Sequence, residues 1–258
     1  MKVFISLLNE IKHSQYVREV VSMYHCSILK NAKIMNLLDQ KPRADSAVKF
    51  VDYRGLSFAV RPGDFFPGEH DNCGTHFFAN AFVDDVRLPV GGSMIEVGCG
   101  SGFTGLAVTK MCNLSRLIAG DVSLEAVSCT RDNAQRLDVQ DKVTVLQSDV
   151  FDSIPPATTA DIVYWNTPWL NINERRAQKR SPDPCLYDPG YKLLARYVCE
   201  SEKFITPHGR RFIGTGSGAS LEKLGLICEV HGCKPVLMKG LVKRENKQVL
   251  SLYELVVC

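Results

Sequence analysis

Apolar residues recur at three- and four-residue spacing near the start of the chain, where Val3, Leu7, Leu8 and Ile11 are followed by Val17, Val20, Val21 and Tyr24. That spacing predicts two or three short helices within residues 2–40. The pattern then changes to alternation. From Val48 to Val60, apolar and polar positions take turns on either side of Tyr53-Arg54-Gly55, which predicts a β-hairpin. Gly63, Pro67, Gly68 and Gly74 make the following stretch loop-like. Thr75 is placed to cap a helix through Phe77, Phe78, Ala81 and Phe82 toward Val86.

Strands and helices alternate beyond that point. Strands are expected at 93–97, 116–119, 143–147, 162–165 and 211–214, with helices at 104–111, 124–137 and 191–205. Such alternation predicts an α/β fold with a mostly parallel sheet covered on both faces, whose ligands lie at the carboxyl ends of its strands. The tail holds two further strands, at 236–239 and 248–257, expected to form an antiparallel hairpin at the sheet edge.

Composition adds boundaries rather than chemistry. A chain of 258 residues, 45% hydrophobic and 23% charged, has the core of one α/β domain with a small appendage. Its net charge of +3 neither demands a nucleic-acid partner nor excludes a local basic groove. The ten cysteines are scattered and never paired as C-x-x-C, as expected of small buried hydrophobes in a reducing cytosol. Cys228, His231 and Cys233 have poor spacing for zinc, so no metal is expected. The first fifteen residues lack a secretory signal and no stretch is long and apolar enough to span a bilayer, so a cytoplasmic protein without a membrane partner is expected.

Two motifs carry chemistry. In Ile95-Glu96-Val97-Gly98-Cys99-Gly100-Ser101-Gly102, glycines crowd a strand-to-helix turn, where they let backbone approach a ligand closely. Gly100 to Gly105 also satisfies G-x-G-x-x-G, the dinucleotide fingerprint. Glu96 tilts the choice, because an acid before the glycines repels a pyrophosphate and suits a positively charged sulfonium or amino-acid cofactor. Asp121 lies 19 residues beyond Gly102, placed for ribose hydroxyls, and Asp149 ends the next strand, placed for the exocyclic amine of adenine.

The second motif is Asn166-Thr167-Pro168-Trp169, after the apolar run Ile162-Val163-Tyr164-Trp165. The Asn oxygen and the carbonyl beside the Pro can accept N–H bonds from a planar nitrogen-bearing substrate, and the indole can stack on its plane. After it comes a basic segment, 173–182, with Arg175, Arg176, Lys179 and Arg180, suited either to an acidic partner or to a solvated loop.

Over residues 75–258 these motifs resemble the class I S-adenosylmethionine-dependent methyltransferases. The sequences that carry the resemblance are E-V-G-C-G-S-G at 96–102, A-G-D-V-S at 119–123, S-D-V-F-D at 148–152 and N-T-P-W at 166–169. The last is similar to the Asn-Pro-Pro-aromatic signature of amino methyltransferases, which act on exocyclic base amines or on the glutamine amide of translation release factors. The layout is similar to the HemK/PrmC-like glutamine methyltransferases, with helices, a hairpin and then the catalytic domain. Cys185 to Leu194 resembles their acidic segment leading into a helix, and Thr206-Pro207-His208-Gly209 resembles the turn before their sixth strand.

The resemblance implies a Rossmann-like, seven-stranded, mostly parallel sheet with an antiparallel edge strand. It divides the chain into an N-terminal helical segment (1–45), a hairpin with a cofactor-covering loop (46–74) and a catalytic domain (75–258). S-adenosyl-L-methionine is the implied cofactor, held by Glu96, Gly98, Cys99, Gly100, Gly102, Asp121, Val122, Asp149, Val150, Asn166 and Thr75. Asp64, Phe65, Phe66 and His70 fall on the covering loop, and Thr75 and His76 are candidates to line the pocket. Asn166, Thr167, Pro168 and Trp169 are the implied catalytic group. Thr167 stands where the family has its first Pro, and the N-terminal part is short for the family's helical domain.

The expected reaction is N-methylation, most simply of a protein glutamine. Alternatives are an exocyclic amine of RNA or DNA and a small molecule. A nicotinamide-dependent oxidoreductase has no use for Glu96 or the Asn-x-Pro-aromatic run, and a non-catalytic adaptor has no use for an intact site.

Overall fold

A computed structural model describes residues 47–61, 74–171, 185–243 and 248–258. The expected N-terminal helices, the covering loop with Asp64, Phe65, Phe66 and His70, and the basic segment 173–182 lie outside the described residues.

The chain forms two compact units. Of the described residues, the first comprises those within 42–167 and 196–214, the second those within 168–195 and 215–258. The first begins with the expected hairpin, β1 (Lys49–Tyr53) and β2 (Leu56–Val60). Arg54 and Gly55 both have positive φ, at 48° and 83°, as the tight hairpin turn requires. Val51, Tyr53, Phe58, Ala59 and Val60 are its buried positions.

Helix α1 (Gly74–Asn80) runs into a wider π-helical turn, Ala81–Asp85. Thr75 lies inside its first turn rather than capping it. Phe82 beds on Tyr164 and Phe212, at ring-centroid separations of 4.8 and 5.3 Å.

Then follow β3 (Ser93–Val97), α2 (Phe103–Met111), β4 (Arg116–Asp121), α3 (Leu124–Arg136), β5 (Val143–Gln147), β6 (Ala160–Asn166), α4 (Lys192–Glu200) and β7 (Ile205–Gly216). After these come α5 (Leu221–Val230), β8 (Cys233–Lys243) and β9 (Gln248–Val257). The seven strands from β3 onward form one sheet in the order β5-β4-β3-β6-β7-β9-β8. The pairs β3–β4, β4–β5, β3–β6 and β6–β7 are parallel, and β8–β9 is antiparallel. The fold is therefore the expected α/β arrangement, a mostly parallel sheet with an antiparallel hairpin at one edge.

Three expectations need correction. The turn at Thr206-Pro207-His208-Gly209 does not precede β7 but belongs to it. Ala160 pairs with Ile205 and Ile162 with Arg210, so the extra residues bulge out of the ladder. A Cβ at Gly209 would lie 2.9 Å from Ala160 O, Ile205 Cβ and Thr206 N, so only glycine closes that bulge. The helix expected at 191–205 ends at Glu200 and continues as a short 3-10 turn, Ser201–Phe204. Helix α5 was not anticipated, because Gly225 interrupts its apolar spacing. Its start is nevertheless marked by Ser220, whose hydroxyl accepts from Lys223 N at 3.3 Å.

The hairpin is tied to α3 and to the glycine loop by one side chain. Asn133 is fully buried; its Oδ1 accepts from Ala59 N, and its Nδ2 donates to Ala59 O and Ser101 O, all at 2.8 Å. Removing it leaves Ala59 N and Ser101 O without this partner and leaves Ala59 O to the weaker Cys129 thiol at 3.3 Å. Asn133→Ala is therefore expected to lower unfolding free energy by about 2–4 kcal/mol, measured by chemical denaturation. A change below about 0.5 kcal/mol would mean that these bonds exchange freely with water.

Candidate functional site

Apart from Thr75, which lies on α1, the cofactor-type residues sit at the carboxyl ends of β3, β4, β5 and β6 in the first unit. The loop after β3 places Gly98, Gly100 and Gly102 at φ of 62°, 57° and 76°, the left-handed region that favours glycine. It is braced from below. Cys99 N donates to Gly120 O at 3.0 Å, Gly100 N to Asp121 Oδ2 at 2.9 Å, and Thr130 Oγ1 to Gly100 O at 2.9 Å.

The three glycines differ in what surrounds them. A Cβ at Gly98 would sit 2.6 Å from Trp165 Nε1, and one at Gly102 would sit 2.8 Å from Leu106 Cδ1 and Thr130 Cγ2. A Cβ at Gly100 would meet nothing within 4 Å. The loop therefore packs tightly on both flanks and keeps an open side at its centre, where a ligand can lie on bare backbone.

Glu96 is buried below this loop, with Oε2 accepting from Gly105 N at 3.0 Å. Burial pushes its carboxyl up to about 8; the Gly105 N–H opposes the shift and Asp121 adds to it. Burial thus favours the protonated form of Glu96 near neutral pH.

The linkage has a definite sign. Unfolded, the group titrates near 4.5; folded, near 8. Its contribution to stability is full below the lower value and is lost as pH rises toward the upper one. Glu96→Gln is expected to flatten that loss and to exceed the parent in melting temperature above about pH 8 in thermal scans without cofactor. Parallel pH profiles for the two proteins would contradict it.

Asp121 ends β4 with both oxygens on backbone amides, Oδ2 on Gly100 N and Oδ1 on Ser123 N at 3.0 Å. Each oxygen has a second lone pair for a ligand hydroxyl. Val122, next to it, is 55% exposed, an apolar surface in reach of solvent. Asp149 is exposed and paired with Arg196 at 3.2 Å; Arg196 also holds Asp152 at 2.7 Å and Glu200 at 3.1 Å. Val150 is buried at φ 53°, a conformation costly for a β-branched residue. Cys99 is buried, which raises its thiol pKa well above the ordinary value and makes it a packing residue rather than a nucleophile. Thr75 is half-buried. His76 is a core residue, its ring 4.7 Å from Phe103 and 5.6 Å from Tyr53.

Asn166 is the last residue of β6. Because β3 and β6 pair in parallel with Val97 opposite Trp165, Gly98 and Asn166 are the next residues out on neighbouring strands. Thr167 N and Thr167 Oγ1 both donate to Gly214 O, at 3.0 and 3.1 Å. The hydroxyl thus holds the backbone where a proline ring would otherwise stiffen it. In the second unit, the six-membered ring of Trp169 lies against Gly216, and Leu170 pairs in parallel with Tyr187. Asp188 is buried, which raises its pKa, and its two oxygens accept from Leu193 N and Leu194 N at the start of α4.

Sequence reasoning passed over Thr130, Asn133 and Arg196, which brace the loop and Asp149. The available signal was the polar set at 130 and 133 on an otherwise apolar helix face, which has no reason to be buried except to satisfy backbone nearby.

The comparisons fit this geometry. Residues 55–179 match the family model described as methyltransferase small domain. The release factor glutamine methyltransferase of Rhodopirellula baltica is 34% identical over 134 residues, 47% of this chain and 43% of that protein. The MTRF1L release factor glutamine methyltransferase of Homo sapiens is 29% identical over 180 residues, 63% of this chain and 52% of that protein. The chain thus spans about half the length of these curated relatives. The structure of P. horikoshii TYW2 in complex with MeSAdo superposes with a TM-score of 0.57 at 9% identity, over 83% of this chain and 72% of that one. No helix among the described residues is long and apolar enough to cross a membrane. Over residues 55–179 the chain thus matches a methyltransferase family model, and over most of its length it shares the fold of the superposed structure.

Proposed function

We propose that the chain methylates the side-chain amide nitrogen of a glutamine in a protein, with a translation release factor as the substrate class. The observation that carries this reading is the register of β3 and β6, which puts Asn166 beside Gly98 at adjoining strand ends. An acceptor clamp and a cofactor loop are thereby neighbours. The names of the relatives from R. baltica and H. sapiens support glutamine as the acceptor.

When bound, the cofactor supplies an electrophilic methyl group on a positively charged sulfonium. The residues present suit it. The open side of Gly100 would receive its amino-acid part, Glu96 and Asp121 would offer carboxyl groups to its ammonium and ribose, and Val122 and Val150 would border its adenine. Asp149, paired with Arg196, would meet the adenine amine. Cys99 and Gly102 shape the turn, and Thr75 lines its approach.

An amide nitrogen is a poor nucleophile because its lone pair is delocalised into the carbonyl. Asn166 Oδ1 and the Thr167 carbonyl accept its two N–H groups, which turns the lone pair out of the amide plane. Pro168 restricts the chain just after them. The same two oxygens stabilise positive charge as it develops on nitrogen. Orienting the nitrogen in this way lowers the barrier by several kcal/mol, and Trp169 is the residue that the motif offers for stacking on the amide plane. No separate base is assigned.

Isotopic methyl transfer from labelled S-adenosylmethionine into a lysate, fractionated into protein, RNA and small molecules, tests the substrate class. Label in protein supports the reading. Label confined to RNA or to small molecules overturns it.

A further inference from the structure

Two side chains of α3 hold the carbonyls of the glycine loop, all within the first unit. Gly102 N donates to Cys99 O at 2.8 Å, which closes a turn whose central peptide joins Gly100 to Ser101. The carbonyl of that peptide, Gly100 O, accepts from Thr130 Oγ1 at 2.9 Å. Thr130 is fully buried, and its hydroxyl has a single proton, so the Cys99 thiol 3.4 Å away is the donor to Thr130 Oγ1. The following carbonyl, Ser101 O, accepts from Asn133 Nδ2 at 2.8 Å, and Gly102 O accepts from Leu106 N at 2.9 Å. Cys99 N and Gly100 N are taken by Gly120 O and Asp121 Oδ2. From Cys99 to Gly102, the one backbone polar group with no partner among the described residues is Ser101 N, although Ser101 is buried. A buried N–H is ordinarily paired.

None of the described peptides is cis, and a trans peptide carries its C=O and N–H on opposite sides. Thr130 draws Gly100 O toward α3, so the same bond turns Ser101 N–H away from α3. We infer that Thr130 is a positioning residue for the cofactor: by holding Gly100 O, it keeps the Ser101 N–H turned to receive the carboxylate of the cofactor's amino-acid part. The inference rests on the reading of this loop as the seat of that part, with the ribose at Asp121 on β4 and the adenine at Asp149 on β5. An N–H can bond the carboxylate and not the ammonium. Without the Thr130 hydroxyl the central peptide is free to rotate, and Gly100, lacking a side chain, resists little. Rotation brings Gly100 O round to face the anion.

Calorimetric titration compares S-adenosylmethionine with its decarboxylated analogue, which keeps the sulfonium and the ammonium and lacks only the carboxylate. The parent, Thr130→Val and Thr130→Ser are titrated with both, with thermal unfolding as a control. Valine keeps the shape of threonine without the hydroxyl; serine keeps the hydroxyl without the methyl. Thr130→Val is expected to weaken S-adenosylmethionine about 10-fold, the scale of one hydrogen bond to a charged group, and to shift the analogue less than about twofold. Thr130→Ser is expected to bind both within about twofold of the parent. Equal losses for the two ligands in Thr130→Val, unchanged affinity for both, or a loss in Thr130→Ser as large as in Thr130→Val overturns the inference. If Thr130→Val does not fold, Thr130→Ala, which adds no bulk, takes its place in the comparison. Failure of the parent to bind S-adenosylmethionine removes the reading of the loop itself, whereas a parent that binds it and loses nothing on Thr130→Val removes only the role of Thr130.

Discussion

Asn166→Ala will lower methyl transfer by about two to three orders of magnitude and leave cofactor affinity within about twofold, as expected when a positioned polar group acts mainly on the transition state. The carboxamide sits at the tip of β6, level with the first residue of the glycine loop on β3. Truncation removes an acceptor for the substrate N–H without touching the backbone bonds that shape that loop. The backbone beyond it stays pinned, because Thr167 N and Oγ1 both bond to Gly214 O. Kinetics should show a fall in kcat larger than the rise in acceptor KM, the pattern of an interaction made chiefly in the transition state. Asn166→Asp would retain an acceptor oxygen and recover part of the rate. A variant Asn166→Ala with full turnover would show that the acceptor clamp is elsewhere.

The second large effect is on the cofactor loop, where Gly98 and Gly100 make an internal comparison. Both have positive φ, so alanine at either incurs similar backbone strain, about 1 kcal/mol. Only at Gly98 would the new Cβ meet protein, 2.6 Å from Trp165 Nε1; at Gly100 it meets nothing within 4 Å. Trp165 is itself buried, with its ring 5.5 Å from Tyr197, and has no room to retreat. Gly98→Ala is thus expected to cost stability beyond strain, about 2–3 kcal/mol in all, in the range of overpacked cores. Gly100→Ala is expected to melt within a few degrees of the parent, about the shift that 1 kcal/mol produces. Both should weaken cofactor binding at least about 10-fold, the first by displacing the loop and the second by filling the open side that the ligand needs. Thermal unfolding and calorimetric titration read the two effects separately. Equal melting temperatures for the two variants would contradict the packing argument; unchanged affinity in Gly100→Ala would contradict the placement of the ligand.

How far the sequence carried this picture differs by element. The parallel core was legible because β3 to β6 are short apolar runs separated by helical spacing, and because Gly98, Gly100 and Gly102 punctuate the one turn that needs positive φ three times. Tyr53-Arg54-Gly55 announced the hairpin for the same reason. What could not be read were features set by contacts distant in sequence. The bulge at Thr206–Gly209 looks like a turn until Ala160 and Ile162 are laid beside it. The burial of Glu96 follows from Gly105 and its neighbours, and burial reverses the protonation state that its position alone suggests. Asn133 reads as a surface polar residue on α3, yet it meets Ala59, 74 residues away. Helix α5 was lost to Gly225, whose missing side chain weakens the apolar repeat. The run from Asn166 to Trp169 was visible in the sequence, whereas the close seat of its indole on Gly216 was not.

The most direct measurement is site-resolved mass spectrometry of a translation release factor incubated with the chain and S-adenosylmethionine. A single added methyl on the side-chain nitrogen of one glutamine, absent when Asn166→Ala replaces the parent, is the predicted result. A methyl found on any other kind of atom, or transferred equally well by the Asn166→Ala protein, would contradict the account.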